Sequence, residues 1–332
     1  MKFNDILTKL NKLDENQEIN FGKQIYQKID GVIQRKLPET SSRQKQTENI
    51  FSYKWNKINT YNSKKSLSRI RTWLLERYGD PHIILNNFLD KPTILDVGTG
   101  AGVSALEYWD TFFSKIRYVA LDISNAITIA KERFKKKSIK DVIFIQESVE
   151  ALPFKTPLFD IIFAEGVLHH TDSTKNSFYL LCNHLKSGGY FMFYIYCKKA
   201  PIREFCDDYI RKKLAEKNPS EVWDALIPLT ELGIKLGELD VEIEITNDIP
   251  ILEIAAGKIN LQRFFYWYIF KAFYNKNLSF KEMHHINFDW YAPKNSHRHS
   301  IEEVHKWCQE NNLTIRHEKI ELSGITCIAQ KN

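Results

Sequence analysis

Three glycines at alternate positions, Gly98, Gly100 and Gly102, follow an acid, Asp96, in the stretch ILDVGTGAGVSALEY. Glycine lets a ligand approach the backbone closely, and a helix starting at such a bend offers unpaired N–H groups to polar or anionic atoms. A second acid, Asp122, lies about twenty residues further on, where nucleotide sites place a carboxylate against a ribose. Its two oxygens can accept both vicinal hydroxyls at once. The implied chemistry is the grip of a nucleotide-like ligand. Gly100, Gly102 and Ala105 also satisfy the dinucleotide fingerprint loosely, which keeps a NAD-binding oxidoreductase open beside a turn that serves only strand-to-helix packing.

Other residue types suggest a reacting group. Histidine is the side chain best poised to move a proton near neutral pH. His169 and His170 follow the fourth core strand, at the edge where open α/β sheets bind ligands. His170 is the first candidate base and His169 the second, although LHH can equally start a loop. His297 and Arg298 in NSHRHS could grip an acidic or phosphate-bearing substrate, while the capping-box pair Ser300 and Glu303 favours a structural role for that edge. Asp289, Trp290 and Tyr291 join an acid to aromatics, as sugar- and ring-binding surfaces do. Tyr194, on the fifth strand, is a further substrate-contact candidate.

Strands and helices must bring these residues together. From Thr93, near-continuous apolar runs (TILDVG, RYVALDIS, VIFIQES, FDIIFAEG, GGYFMFYIY) alternate with helical patterns. Such alternation specifies a parallel sheet covered on both faces. The expected fold is α/β: a Rossmann-like, doubly wound sheet, mostly parallel with an antiparallel last strand. Residues 1–90 read as a helical N-terminal extension, with SLSRIRTWLLERYG at helical spacing and Gly79 at its stop. Trp55 and Arg71 are the positions that bear on whether this segment closes over the ligand. The core spans 91–197, a helical, aromatic-rich insertion or lid spans 198–298, and 299–332 supply the last helix and strands. An insertion of that size in a sheet domain is normally functional.

Composition narrows the class. The 332 residues, 43% hydrophobic, can bury a core of ordinary size. A net charge of +6, from 47 basic and 41 acidic residues, permits nucleic acid without implying it. No basic stripe with interleaved aromatics stands out, so no nucleic-acid partner is expected. Five scattered cysteines without a CxxC pair point to a reduced, cytoplasmic chain and to no metal site. The N-terminus MKFNDILTKLNKLDENQ has charges breaking every apolar run, and LQRFFYWYIFKAFY is too short for a bilayer and carries Arg263 and Lys271. No stable membrane insertion is expected.

The glycine stretch resembles motif I of the class I S-adenosylmethionine (SAM) methyltransferases, in which an acid precedes Gly-x-Gly-x-Gly. ALDIS, EALPF with FDIIFAEGVLHH, and LKSGGYFMFYIY resemble the later strand ends of that family in order. The resemblance covers about Ile94 to Tyr196. It implies SAM as cofactor and methyl transfer to a small molecule. Asp96 would organise the methionine end, the glycines would pass beneath it, and Asp122 would take the ribose with Ile123 against the adenine. Ser148 would stand at the position that contacts the adenine amino group, Val149 beside it is a further cofactor-binding candidate, and Glu165 would hold the methionine amino group. Many relatives place an acid where Ser148 stands, so Ser148 or the adjacent Glu147 must substitute. The flanks TENIFSYKWNKI and NFDWYAPKNSHRHSIEEVHKWC resemble segments of bacterial small-molecule methyltransferases, several of them linked to surface-sugar pathways. The expected acceptor atom is a hydroxyl oxygen, in surface-sugar or secondary-metabolite biosynthesis. A nucleic-acid methyltransferase and a non-catalytic SAM-fold binding protein remain alternatives, and the oligomeric state is not determined by the sequence.

Overall fold

A computed structural model describes residue 9 and residues 12–21, 24–36, 40–154 and 157–332. The chain opens with β1 (Glu18–Phe21), β2 (Gln24–Ile29) and β3 (Val32–Arg35), an antiparallel meander. Strands here correct the expectation of a helical segment over residues 1–90. The signal was legible: QIYQKI and VIQR flank Asp30-Gly31, both at positive φ, the dipeptide favoured in two-residue hairpin turns. Residues 1–8, part of that expectation, lie outside the described residues.

Two helices follow, α1 (Ser42–Asn56) and α2 (Lys64–Tyr78), each capped by a serine, and then the short α3 (Pro81–Leu85). Gly79 ends α2 at φ +72°, a conformation that costs glycine little. The core continues with β4 (Thr93–Val97), α4 (Val103–Tyr108), β5 (Arg117–Asp122), α5 (Ala126–Lys136), β6 (Val142–Gln146), β7 (Phe159–Glu165), α6 (Thr174–His184) and β8 (Leu185–Tyr196).

The insertion is formed by α7 (Pro201–Leu214), α8 (Pro219–Ala225), α9 (Ile227–Glu238), a hairpin of β9 (Glu242–Ile245) and β10 (Gly257–Asn260), α10 (Leu261–Phe264) and α11 (Phe280–Tyr291). A π-helical turn, Phe265–Ile269, interrupts it after α10. The chain closes with α12 (Ile301–Glu310), capped by the Ser300–Glu303 box, and with β11 (Leu313–Glu321) and β12 (Gly324–Lys331).

The strand order in the main sheet is β1-β2-β3-β6-β5-β4-β7-β8-β12-β11. Strands β3 through β8 run parallel, and β12 is antiparallel to both β8 and β11. Side chains alternate across the pleat: Leu95, Val119 and Ile162 join one apolar layer, while Ile94, Ala120 and Ile161 join the other. Both faces are therefore buried, at about 1.5–3 kcal/mol for each large side chain removed from water. The chain runs outward from β4 through β5 to β6 and then crosses back to β7 on the other side of β4, a reversal that opens a crevice at the C-terminal end of β4. Among the described residues no helix is long and apolar enough to cross a membrane.

Candidate functional site

The bend after β4 carries three glycines in the left-handed region: Gly98 at φ +68°, Gly100 at +56° and Gly102 at +74°. Each also meets a close neighbour. A Cβ at Gly98 would lie 2.3 Å from Val167 Cγ2, one at Gly100 would lie 2.9 Å from the Trp55 ring, and one at Gly102 would lie 3.0 Å from Phe134. Backbone conformation and close approach thus both demand glycine.

Asp122, at the end of β5, closes the bend. Its Oδ2 accepts the Gly100 N–H at 2.7 Å, and its Oδ1 accepts the Ser124 N–H and hydroxyl at 2.8 and 2.6 Å. Burial raises its pKa, and the Ser124 and Gly100 donors work against that rise. Asp96 lies behind the bend, where its Oδ2 accepts the Thr99 hydroxyl at 2.6 Å. Burial pushes it up to about 7.

A cavity of about 360 Å³ opens over this edge. Gly98, Asp122, Ile123, Ser148, Val149 and Glu165 line it; Asp96, Gly100 and Gly102 do not line it, and Gly100 is covered by the Trp55 ring. Glu165 is held by Arg77 and by the Tyr78 hydroxyl, which donates at 2.6 Å. At the β6 edge, Glu147 accepts from Tyr26 at 3.0 Å, pairs with Arg35 at 3.1 Å and takes the Ser148 N–H at 2.8 Å. Its carboxylate is committed to the protein, and Ser148 caps the following turn through the Glu150 N–H.

The N-terminal helix α1 forms the roof. Trp55 lies over Gly100, and the Lys54 ammonium sits 4.0 Å from the centre of the Trp55 ring and pairs with Asp289 of α11. Arg71 instead bonds the Glu107 carbonyl and Asp110 on the outer surface. Although burial alone would raise Asp289, Lys54, His170 and Lys271 hold it far below the ordinary carboxylate range.

His170 lines the cavity, edge-on to Phe51 with ring centroids 5.0 Å apart. Its Nδ1–H donates to the Asn295 carbonyl at 2.7 Å, which leaves the Nε2 lone pair unprotonated. Burial lowers its pKa to about 4, against the opposing pull of Asp289. His169 does not line the cavity: it is wholly buried and stacked on Tyr196 at 3.6 Å, and burial holds it neutral. This corrects its candidacy as a base.

Tyr194, Asp289 and Trp290 line the cavity. Tyr291, His297 and Arg298 do not. The Tyr291 hydroxyl donates to Asp207 at 2.6 Å. The His297 ring bonds the Thr171 carbonyl, and Arg298 pairs with Asp208 and Glu204. His297 thus ties the insertion to the core, while Tyr291 and Arg298 brace the insertion internally, and the expected substrate contacts of all three are corrected accordingly.

Sequence reasoning missed the groups that organise the insertion side. Asp207 of α7 accepts from Arg203 Nε at 2.7 Å, from the Trp290 ring N–H at 2.8 Å and from Tyr291, and it also takes the Lys271 N–H at 3.3 Å. Arg203 and Arg211 hold Asp207 ionised against its burial. Lys54, Arg69, Lys199, Arg203 and Lys271 bring five cations to the lining from α1, α2, the approach and start of α7, and the segment after the π-helical turn. The only sequence hint was a charge inside an aromatic run, as at Lys271.

The parallel sheet, its antiparallel β12 and the acid-flanked glycine bend define the class I methyltransferase architecture. A family model described as a methyltransferase domain matches residues 89–257, just over half of the chain, and the chain belongs to that family. An uncharacterized methyltransferase, YcgJ of Bacillus subtilis (strain 168), is 26% identical over 147 residues, 42% of this chain and 56% of that protein. The demethylmenaquinone methyltransferase of Lactococcus lactis subsp. lactis (strain IL1403) is 28% identical over 142 residues, 42% of this chain and 53% of that protein. The chain spans about half the length of these curated relatives. Among solved structures, the 1,6-didemethyltoxoflavin-N1-methyltransferase of Burkholderia thailandensis aligns over 96% of this chain and 100% of its own, at 11% identity and a TM-score of 0.44.

SAM is the cofactor of this class, and the residues present fit it. The bend is bare where a Cβ would collide, Asp122 offers a carboxylate beside it, and the ring of Trp55 closes above.

Proposed function

We propose that the protein transfers a methyl group from SAM to a small-molecule acceptor at a hydroxyl oxygen. The observation that carries the oxygen reading is His170, a buried neutral imidazole whose Nδ1–H is taken by the Asn295 carbonyl while the ring borders the cavity.

When bound, SAM supplies a methyl group already activated by its sulfonium. The protein's part is to grip, orient, exclude water and move one proton. The glycine bend would pass beneath the amino-acid tail and Asp122 would take the ribose hydroxyls. Glu165, clamped by Arg77, would face the methionine amino group. Tyr196 and Trp290, with ring centroids 4.7 Å apart, wall the acceptor side against water. His170 Nε2 would accept the acceptor's hydroxyl proton, and Asp289 would stabilise the resulting imidazolium across the cavity. The similarity to a demethylmenaquinone methyltransferase supports a small-molecule acceptor. The flanking segments support a setting in surface-sugar or secondary-metabolite biosynthesis, and five free thiols support a reducing cytoplasm.

The test is incubation with methyl-labelled SAM and a small-molecule extract of cells. The expected product carries the label on oxygen, and His170→Asn abolishes its formation while leaving SAM affinity unchanged. Label found only on nitrogen or carbon, or full turnover by the variant, would overturn the oxygen reading.

A further inference from the structure

The cavity holds more positive charge than it neutralises. Each acid in its lining is engaged: Asp122 by Gly100 and Ser124, Glu147 by Arg35, Glu165 by Arg77, and Asp289 by Lys54. Three of the lining cations are engaged as well. Lys54 pairs with Asp289, Arg203 pairs with Asp207, and Lys199 donates to the Leu322 and Ser323 carbonyls at 2.6 and 2.8 Å. Two are not. Among the described residues, the side chains of Lys271 and Arg69 make no hydrogen bond or ion pair, and both border the cavity.

Lys271 is the more telling of the two. It is 7% exposed, and its ammonium stands 4.6 Å from the centre of the Trp290 ring. It follows the π-helical turn Phe265–Ile269, and its backbone N–H is fixed by the Tyr291 hydroxyl at 2.8 Å and by Asp207. Such turns recur at functional sites because they re-aim the residues beside them. Arg69 stands over Trp73 and Phe273, 5.9 Å from each ring centre. A buried cation with no direct ion-pair or hydrogen-bond partner is costly, and it gives up that cost when an anion arrives.

From this juxtaposition we infer that the methyl acceptor is an aromatic acid, whose anionic oxygen group is bound by Lys271 while its ring packs among the aromatic side chains around Trp290. Arg69 is a second cation in the same lining. The inference rests on the methyltransferase reading above and deepens it by naming the substrate class. It favours the secondary-metabolite setting over the sugar one.

The groups facing Lys271 are Asp289 and Asp207, which favour its charge, and Arg203 and Lys199, which oppose it. Burial outweighs them and brings Lys271 down to about 7. An arriving carboxylate favours the ammonium, so binding above neutral pH must take up a proton.

The test is calorimetric titration of the S-adenosylhomocysteine-loaded protein with 2-naphthoate and 2-naphthamide, which differ in charge but hardly in shape. Naphthoate is expected to bind tighter by about tenfold or more, the scale of one charge-assisted hydrogen bond. At about pH 8 its binding heat should vary with the buffer's ionisation heat in the sense of proton uptake. Lys271→Met should bring both ligands to the affinity of the amide. Lys271→Arg should keep the preference and lose the uptake, because arginine stays charged.

Equal affinity of the two ligands for the wild type, or a preference and proton uptake that survive in Lys271→Met, would overturn the proposal. Should that variant not fold, Lys271→Arg decides: uptake that persisted in it would overturn the proposal as well. A wild-type protein that bound neither SAM nor S-adenosylhomocysteine would fail the methyltransferase reading separately. The naphthoate preference would still be read on the ligand-free protein.

Discussion

At the proposed cofactor end the cavity borders the glycine bend, and the bond that closes the bend joins Gly100 to Asp122, 22 residues apart. At the proposed acceptor end it is walled by side chains of the insertion, and an ion pair there joins Lys54 to Asp289, 235 residues apart. The first arrangement is a local solution: one strand, one bend and one carboxylate can grip the same ligand in any chain that carries them. The second exists only once the N-terminal helices, the insertion and the core have packed together. A chain can therefore change its acceptor by altering distant segments while the cofactor edge stays as it is.

The largest effect that would sharpen this contrast is expected at Asp207. Asp207→Ala leaves the Arg203 guanidinium buried without its partner, which costs about 3–5 kcal/mol when a buried pair is broken. Chemical denaturation should read that loss, while SAM affinity at low denaturant stays near the wild-type value. A loss below about 1 kcal/mol, the scale of a surface pair, would mean that the acceptor end does not depend on this hub.

Gly98→Ala attacks the other end. The new Cβ would sit 2.3 Å from Val167 Cγ2 at a positive φ, so about 2–3 kcal/mol of strain is expected from the clash and the backbone together. Because the strain lies in the bend, SAM binding should weaken at least as much as stability does. A variant with unchanged SAM affinity would separate the bend from the cofactor.

Asp122→Asn should be milder. The amide oxygen can still accept one N–H, so the bend persists, while loss of the charged acceptor should weaken SAM binding by about tenfold. Affinity for an acceptor analogue in the SAM-saturated protein should not change. If both affinities fell together, the two ends would not be separable.

The smallest expected effect is a flat profile. Burial lowers His170 to about 4, so its base form is populated above that pH and kcat should hold steady from about pH 5 to 7. A depressed folded-state pKa means that the unfolded chain binds more protons between about 4 and 6.5, so stability falls as pH falls through that window. An inflection in kcat near 6.5 would point to an exposed, ordinary histidine as the base.

The same contrast explains what could be read without coordinates. All seven core strands and the glycine–acid pairing were legible, because apolar runs and short-range motifs are local signals. The N-terminal hairpin carries a local signal too, Asp30-Gly31, but the polar alternation of QIYQKI is weaker than the helical pattern that follows it. His169 and His170 are adjacent in sequence, and only packing decides that one stacks on Tyr196 while the other faces the cavity. Asp207 and Lys54 carried no signal, since an acid and a lysine on helices read as solvated faces until a buried partner arrives from elsewhere in the chain.

The central claim is that the β4–β5 edge holds SAM, with Asp122 on its ribose. Calorimetric titration of the purified protein with SAM, and with NAD in parallel, tests it directly. The account predicts one site with micromolar affinity for SAM and no measurable heat with NAD. No SAM binding up to sub-millimolar ligand, or preference for NAD, would contradict it.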